Sequence, residues 1–149
     1  MIIPIPSLDA CRNRETSEIA IIHKAPLFEN RLYLGNAAWG KIHRFTEQEF
    51  AETGLYIIRR SLESFSRRLC EETSEFEKLG AAGKKRFFSQ QQVVGISLHQ
   101  NGDLWLDPVH HKLRGVSGFS DANERRVITP STSSDEFLKA LAICFNLAD

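Results

Sequence analysis

Cysteine is scarce in this chain: Cys11, Cys70 and Cys144 are the only three among 149 residues, far apart and odd in number. That excludes a disulfide-stapled scaffold, and with no C-x-x-C pair it excludes the usual zinc-ribbon spacing. The expectation is free, mostly buried thiols in a reducing compartment. Long apolar runs are also missing, and none approaches the roughly 18 residues that span a bilayer. The N-terminal "MIIPIPSLDACRNRE" is interrupted by Pro4 and Pro6. It lacks the basic start and long apolar centre of a signal peptide, so a cytoplasmic protein is expected. Charge of one sign is absent too: 19 Lys and Arg balance 19 Asp and Glu. A neutral chain has no general pull toward nucleic acid or anionic lipid, although a local charged patch stays possible. Internal repeats, low-complexity tracts and Gly/Ser linkers are lacking as well. Residues 1–149 therefore read as one domain, long enough to bury a core.

What is present is ordinary globular material, 42% hydrophobic and 26% charged. The first 45 residues read as short strands. "EIAIIHK" and "RLYLG" are the better candidates and "WGKIHRF" the weaker, with Pro26, Gly35 and Gly40 between them. A helix follows. Thr46 with Glu49 three residues on makes a capping box. Leu55, Ile58, Leu62, Phe65 and Leu69 then draw an apolar stripe at spacings of three and four. Gly54 is expected to split a short first helix from a longer second. "SEFEKLGAAGKKRFF" is a further helical segment.

"VVGISLHQNGDLWLD" is the strongest hairpin signal, because Asn-Gly tolerates positive φ. A two-residue loop at Asn101-Gly102 would set Leu98 opposite Trp105 and split the aliphatics between faces. A three-residue loop, Gln100 to Gly102, sets Leu98 opposite Leu104 and Ile96 opposite Leu106, and is preferred. His99, Trp105 and Asp107 then share the other face. "HHKLRGVSGFSDANE" reads as a long loop and "RRVITP" as a short strand ended by Pro130. The terminal helix starts at a Ser133–Glu136 capping box and buries Phe137, Leu141, Cys144 and Phe145. The expected fold class is α+β, a mostly antiparallel sheet packed with three to four helices.

Four readings compete. A metal site from His99, Asp103, Asp107, His110 and His111 is disfavoured, because adjacent histidines on a strand point to opposite faces and no H-E-x-x-H or H-x-H spacing occurs. A His-dependent phosphodiesterase would need His23, His43, His99 and Lys112 to converge. "LGAAGKKRFF" lacks the P-loop spacing, and no G-x-S-x-G or G-x-G-x-x-G is present. A small RNA-binding module would use "GKKRFF" with Arg59, Arg60, Arg67 and Arg68, but Glu63 stands four residues from both Arg59 and Arg67 and suits ordinary helix pairs. A protein-binding surface has two candidate acidic clusters. One is Glu71, Glu72, Glu75 and Glu77; the other is Asp121 and Glu124, with Trp105 and Phe119 as aromatic anchors.

The chain from residue 90 onward resembles the contact-dependent growth inhibition immunity family of bacteria. The features that carry this are "ISLHQNGDLWLD", a strand–turn–strand, then a loop, then "VITPSTSSDEFLKALAICFNL", a strand, a proline, a Ser/Thr-rich cap and a terminal helix. "GLYIIRRSLESFSRR" matches more loosely. The resemblance implies a cytoplasmic antidote, not an enzyme, that binds the C-terminal toxin domain of a surface-delivered exoprotein, often a nuclease. It implies no cofactor, no metal, no catalytic residue, no membrane and no direct nucleic-acid contact. A nuclease cleft is basic, so a local acidic patch would speed association. The expected toxin-binding face is Trp105, Asp107, Lys112, Arg114, Phe119, Asp121 and Glu124.

Overall fold

The computed structural model describes residues 5–68, 75–110 and 120–149. Within them the chain builds eight strands and three α-helices, an α+β fold. Six strands form one antiparallel sheet in the order β5-β2-β1-β6-β7-β8: His43–Phe45, Ile19–Ile22, Ser7–Asn13, Gln91–Leu98, Leu104–Pro108 and Arg126–Ile128. Strands β3 (Lys24–Glu29) and β4 (Leu32–Ala38) pair separately as a two-stranded ribbon. Helices α1 (Glu47–Glu63), α2 (Gly80–Ser89) and α3 (Ser134–Leu147) complete the set.

The alternation along each strand divides the sheet into two faces. Leu8 and Ala10, Ile19 and Ile21, Val94 and Ile96, and Leu104 and Leu106 point to one side. There they meet Phe50, Ile58 and Leu62 of α1 and Phe137, Leu141, Cys144 and Phe145 of α3 in the main core. Cys11, Ala20, Ile22 and Val93 point to the other side, into a smaller cluster with Ala38, Ile42 and Phe76. Phe87 and Phe88 of α2 close that cluster, and each meets Phe76 edge to face. Cys11 and Cys144 are buried free thiols; Cys70 lies outside the described residues. No helix among the described residues is long and apolar enough to cross a membrane.

The hairpin register is the one argued from the aliphatics. Leu98 pairs with Leu104 and Ile96 with Leu106. The three-residue loop closes with the His99 N–H donating to the Asp103 carbonyl at 2.9 Å, and Gly102 sits at φ +87°. A Cβ at Gly102 would also stand 2.9 Å from Pro130 Cγ, so both backbone angle and space require glycine there.

Several expectations fail. Pro26 lies inside β3 and Gly35 inside β4 rather than between strands, and α1 ends at Glu63, ahead of Phe65, which sits in a 3-10 turn. Gly54 does not split the helix, because α1 runs unbroken from its Thr46 capping box through Glu63. The ring of Phe50 occupies the space where a residue 54 side chain would stand, so Gly54 serves close packing rather than a break. Strand β1 was not anticipated from "SLDACRN", whose Asp9, Arg12 and Asn13 hide a central strand. Asp9 is accommodated by an ion pair with Lys24 at 3.1 Å, and Arg12 reaches Gln92 at 2.8 Å and Asn146 at 2.6 Å.

Candidate functional site

Because Leu104 and Leu106 face the core, the intervening Trp105 and the following Asp107 face outward on β7. His99, at the edge of the turn, is brought onto the same face. Its ring stacks on Trp105 with centroids 3.6 Å apart, and its Nε2 lies 2.9 Å from Ser97 Oγ. Arg125 adds a guanidinium 3.9 Å from the centre of the Trp105 ring. Its Nε donates to Asp107 Oδ1 at 2.8 Å. Burial, with Arg125 second, lowers the His99 pKa and favours the neutral ring. The result is a half-exposed aromatic platform whose cation and carboxylate are held by each other.

Beside it, Asp121 caps a short 3-10 turn (Ala122–Glu124) by accepting from the Asn123 N–H at 2.9 Å. Glu124 accepts from His110 Nε2 at 2.5 Å, while His110 Nδ1 meets Asp149 Oδ2 at 3.1 Å. The Glu124 hydrogen bond chiefly raises the His110 pKa, favouring an imidazolium between two carboxylates. This clamp ties the 3-10 turn to the C-terminal residue.

Of the expected binding face, Trp105 and Asp107 come together. Asp121 and Glu124 belong to the 3-10 turn that leads directly into Arg125, whose side chain holds Trp105 and Asp107. Lys112, Arg114 and Phe119 lie outside the described residues, as do Glu71 and Glu72 of the other acidic cluster. In that cluster Glu75 is exposed, and Glu77 is paired with Lys84 at 2.5 Å. Arg125 was missed by sequence reasoning. Its only signal was its place just before the β8 run "RVITP".

A second concave site lies at the end of α1, an open cavity of about 530 Å³ lined by His23, Tyr56, Arg60, Ser61, Glu63, Ser64, Arg67 and Arg68. Ser61, two residues before the helix ends, lies 2.6 Å from His23 Nδ1. Arg68 donates to Ser61 Oγ at 2.9 Å, to Ser64 Oγ at 3.0 Å and to the Lys24 carbonyl at 3.1 Å. It also lies over Trp39, 5.0 Å from the ring centre. Burial, then the charges of Arg68 and His43, lower the His23 pKa to about 4, so this ring is neutral near pH 7.

The histidines weighed for phosphodiester chemistry are thus divided. His23 and His43 sit 5.8 Å apart beside the arginine cavity. His99 is taken up by Trp105, and Lys112 lies outside the described residues. Arg59 does not join the arginine cluster; it donates to the carbonyls of Gly102 and Thr129 at 3.0 and 3.2 Å, tying α1 to the hairpin turn. Among the described residues no set of three His, Cys, Asp or Glu side chains is arranged to hold a metal ion.

These features define an α+β protein with a six-stranded antiparallel sheet, two helices on one face, and a polar aromatic platform at one end of the other. Its fold is similar to that of a solved structure titled "Protein of Unknown Function NMB0488 from Neisseria meningitidis", with a TM-score of 0.65 and 14% identity over 100% of both chains. At that identity the likeness establishes a shared fold. No protein-family model matches the chain, and no curated protein matches it.

Proposed function

We propose that this chain is a cytoplasmic immunity protein of the contact-dependent growth inhibition type. In this reading it binds the C-terminal toxin domain of an exoprotein and blocks its active site or the approach of its substrate. The toxin is a nuclease, and the chain performs no bond-making step and needs no cofactor. The observation that supports the reading is the Trp105 platform. A large aromatic held by His99 and Arg125, on a strand whose other face is in the core, is ordered before any partner arrives. Little side-chain entropy is then lost on docking, which is what tight association requires. Asp107 is paired with Arg125 and Glu124 with His110, so Asp121, half-buried beside them, is the acid that a basic nuclease cleft would meet.

The test requires the gene next to this one to encode a large exoprotein, and pairs the chain with the C-terminal toxin domain of that exoprotein. Coexpression is expected to rescue growth, and the two proteins are expected to co-purify. Trp105→Ala should weaken the complex roughly tenfold or more in titration calorimetry. Asp121→Ala with Glu124→Ala should lower the association rate, and the loss should shrink as salt is raised. A chain that neither binds nor protects against that domain would end this reading.

A further inference from the structure

The arginine cavity at the end of α1 has no role in the platform on β7, and its construction has a chemistry of its own. Three guanidiniums line it against one carboxylate, Glu63, which leaves the lining two charges positive while His23 is neutral. Among the described residues no carboxylate lies in ion-pair range of Arg60, Arg67 or Arg68, whereas Lys24, Arg44, Lys84 and Arg125 all have acidic partners. Arg68 is half-buried, and its neighbours accept its N–H groups without neutralising it: two serine hydroxyls and a backbone carbonyl. A partly buried cation without a counter-charge is costly, and an anion in the cavity would relieve that cost.

The hydroxyls are tied in as well. Ser61 Oγ accepts from Arg68 and shares a hydrogen bond with Nδ1 of the neutral His23. This chain of bonds fixes the Arg68 plane and leaves its remaining donors for a ligand. Arg60, 5.8 Å over the exposed ring of Tyr56, and Arg67 are exposed at the mouth and free to close on what enters.

The geometry points to a binding site for a small phosphomonoester, its phosphate held by Arg60, Arg67 and Arg68 and its organic part beside Tyr56. Guanidinium forks match phosphate oxygens in pairs. A phosphomonoester dianion equals the surplus charge of the lining, which a single carboxylate does not. About 530 Å³ is the size of a small-ligand pocket. The basic groups line one cavity instead of a track, and Glu63 in the same lining opposes a long polyanion, so a nucleic-acid strand fits less well.

The test is calorimetric titration of the whole chain with phenyl phosphate, orthophosphate and acetate at low ionic strength. Phenyl phosphate is expected to bind saturably at one site and orthophosphate more weakly, with acetate showing no competition. The double variant Arg60→Gln, Arg67→Gln should weaken phenyl phosphate at least tenfold. Both side chains are exposed, and the single Arg67→Gln variant carries the same test should the double variant melt early. Lys85→Gln, an exposed basic position on α2, should leave binding unchanged. Three results would overturn the assignment: no saturable binding of phenyl phosphate, an equal loss in Lys85→Gln, or acetate competing as well as phosphate. A short single-stranded RNA that binds far more tightly, with the same dependence on Arg60 and Arg67, would overturn it in favour of a nucleic-acid surface.

Discussion

Replacing Gly54 with alanine is expected to destabilise the protein by about 2 kcal/mol, although alanine is the better helix former by about 1 kcal/mol. A Cβ at position 54 would stand 2.7 Å from Cδ2 and Cε2 of Phe50 and 2.9 Å from its Cζ. The ring cannot swing aside, because Phe50 is only 1% exposed and packs edge-on against Phe45 at 5.5 Å and near Phe137 at 6.5 Å. Overpacking of this kind costs about 1–3 kcal/mol, which outweighs the propensity gain. Phe50→Ala alone should cost about 3–5 kcal/mol through the cavity it leaves. The double variant is the sharper measurement. With the ring gone the new methyl has room and the propensity gain returns, so the pair should cost less than the sum of the singles by about 2 kcal/mol or more. Urea unfolding of the four proteins measures this. A neutral or stabilising Gly54→Ala in the presence of Phe50 would show that the ring yields, and strict additivity would show that the two positions are independent.

Acidification from pH 7 to pH 4 should remove about 2 kcal/mol of stability through His23 alone. Its folded pKa is lowered to about 4 from an ordinary 6.5 by burial, Arg68 and His43. Between those values the unfolded chain binds a proton that the folded chain refuses, so stability falls as pH drops through 6.5 toward 4. The full shift corresponds to about 3 kcal/mol, and partial solvent exposure of the ring reduces it to about 2. His110 works with the opposite sign. Its folded pKa is raised, first by the Glu124 hydrogen bond, so its contribution is fully present below pH 6.5 and is lost as pH rises through the folded value. The variants separate the two. His23→Gln should flatten the acid limb of a stability–pH profile, and His110→Gln should flatten the limb on the neutral-to-alkaline side. An acid limb unchanged by His23→Gln would mean that other groups carry the proton uptake.

The elements that were legible share a physical property: their signals are local. Thr46 and Glu49 form both bonds of their capping box because those bonds span three residues. Ser133 accepts from the Glu136 N–H for the same reason. The hairpin register followed from a glycine able to adopt positive φ and from aliphatics that must share a face. The terminal helix buries the four residues its periodicity named. The misreading of β1 comes from partners distant in sequence, that of Gly54 from a ring one helical turn away. Strand β1 looks polar until Asp9 meets Lys24 and Arg12 meets Gln92, 80 residues away. Gly54 looks like a helix breaker until the Phe50 ring is seen above it.

The candidate sites divide in the same way. Alternation along β7 was enough to put Trp105 and Asp107 on one side, because strand geometry alone turns successive residues to opposite faces. That Arg125 would bridge them, 18 residues from Asp107, was decided by the pairing of β7 with β8. The arginines of the α1 cavity were visible as a basic helix side. Only the packing of that helix end against His23 and Lys24, about forty residues earlier, set Arg68 among hydroxyls and, among the described residues, left it without a carboxylate. By itself the sequence determined the capped helices, the hairpin and the faces they bury, since those follow from short-range bonding and periodicity. The tertiary structure decided which charges are neutralised and which are left open to a ligand, since that depends on which distant groups the sheet and helices bring within a few ångströms.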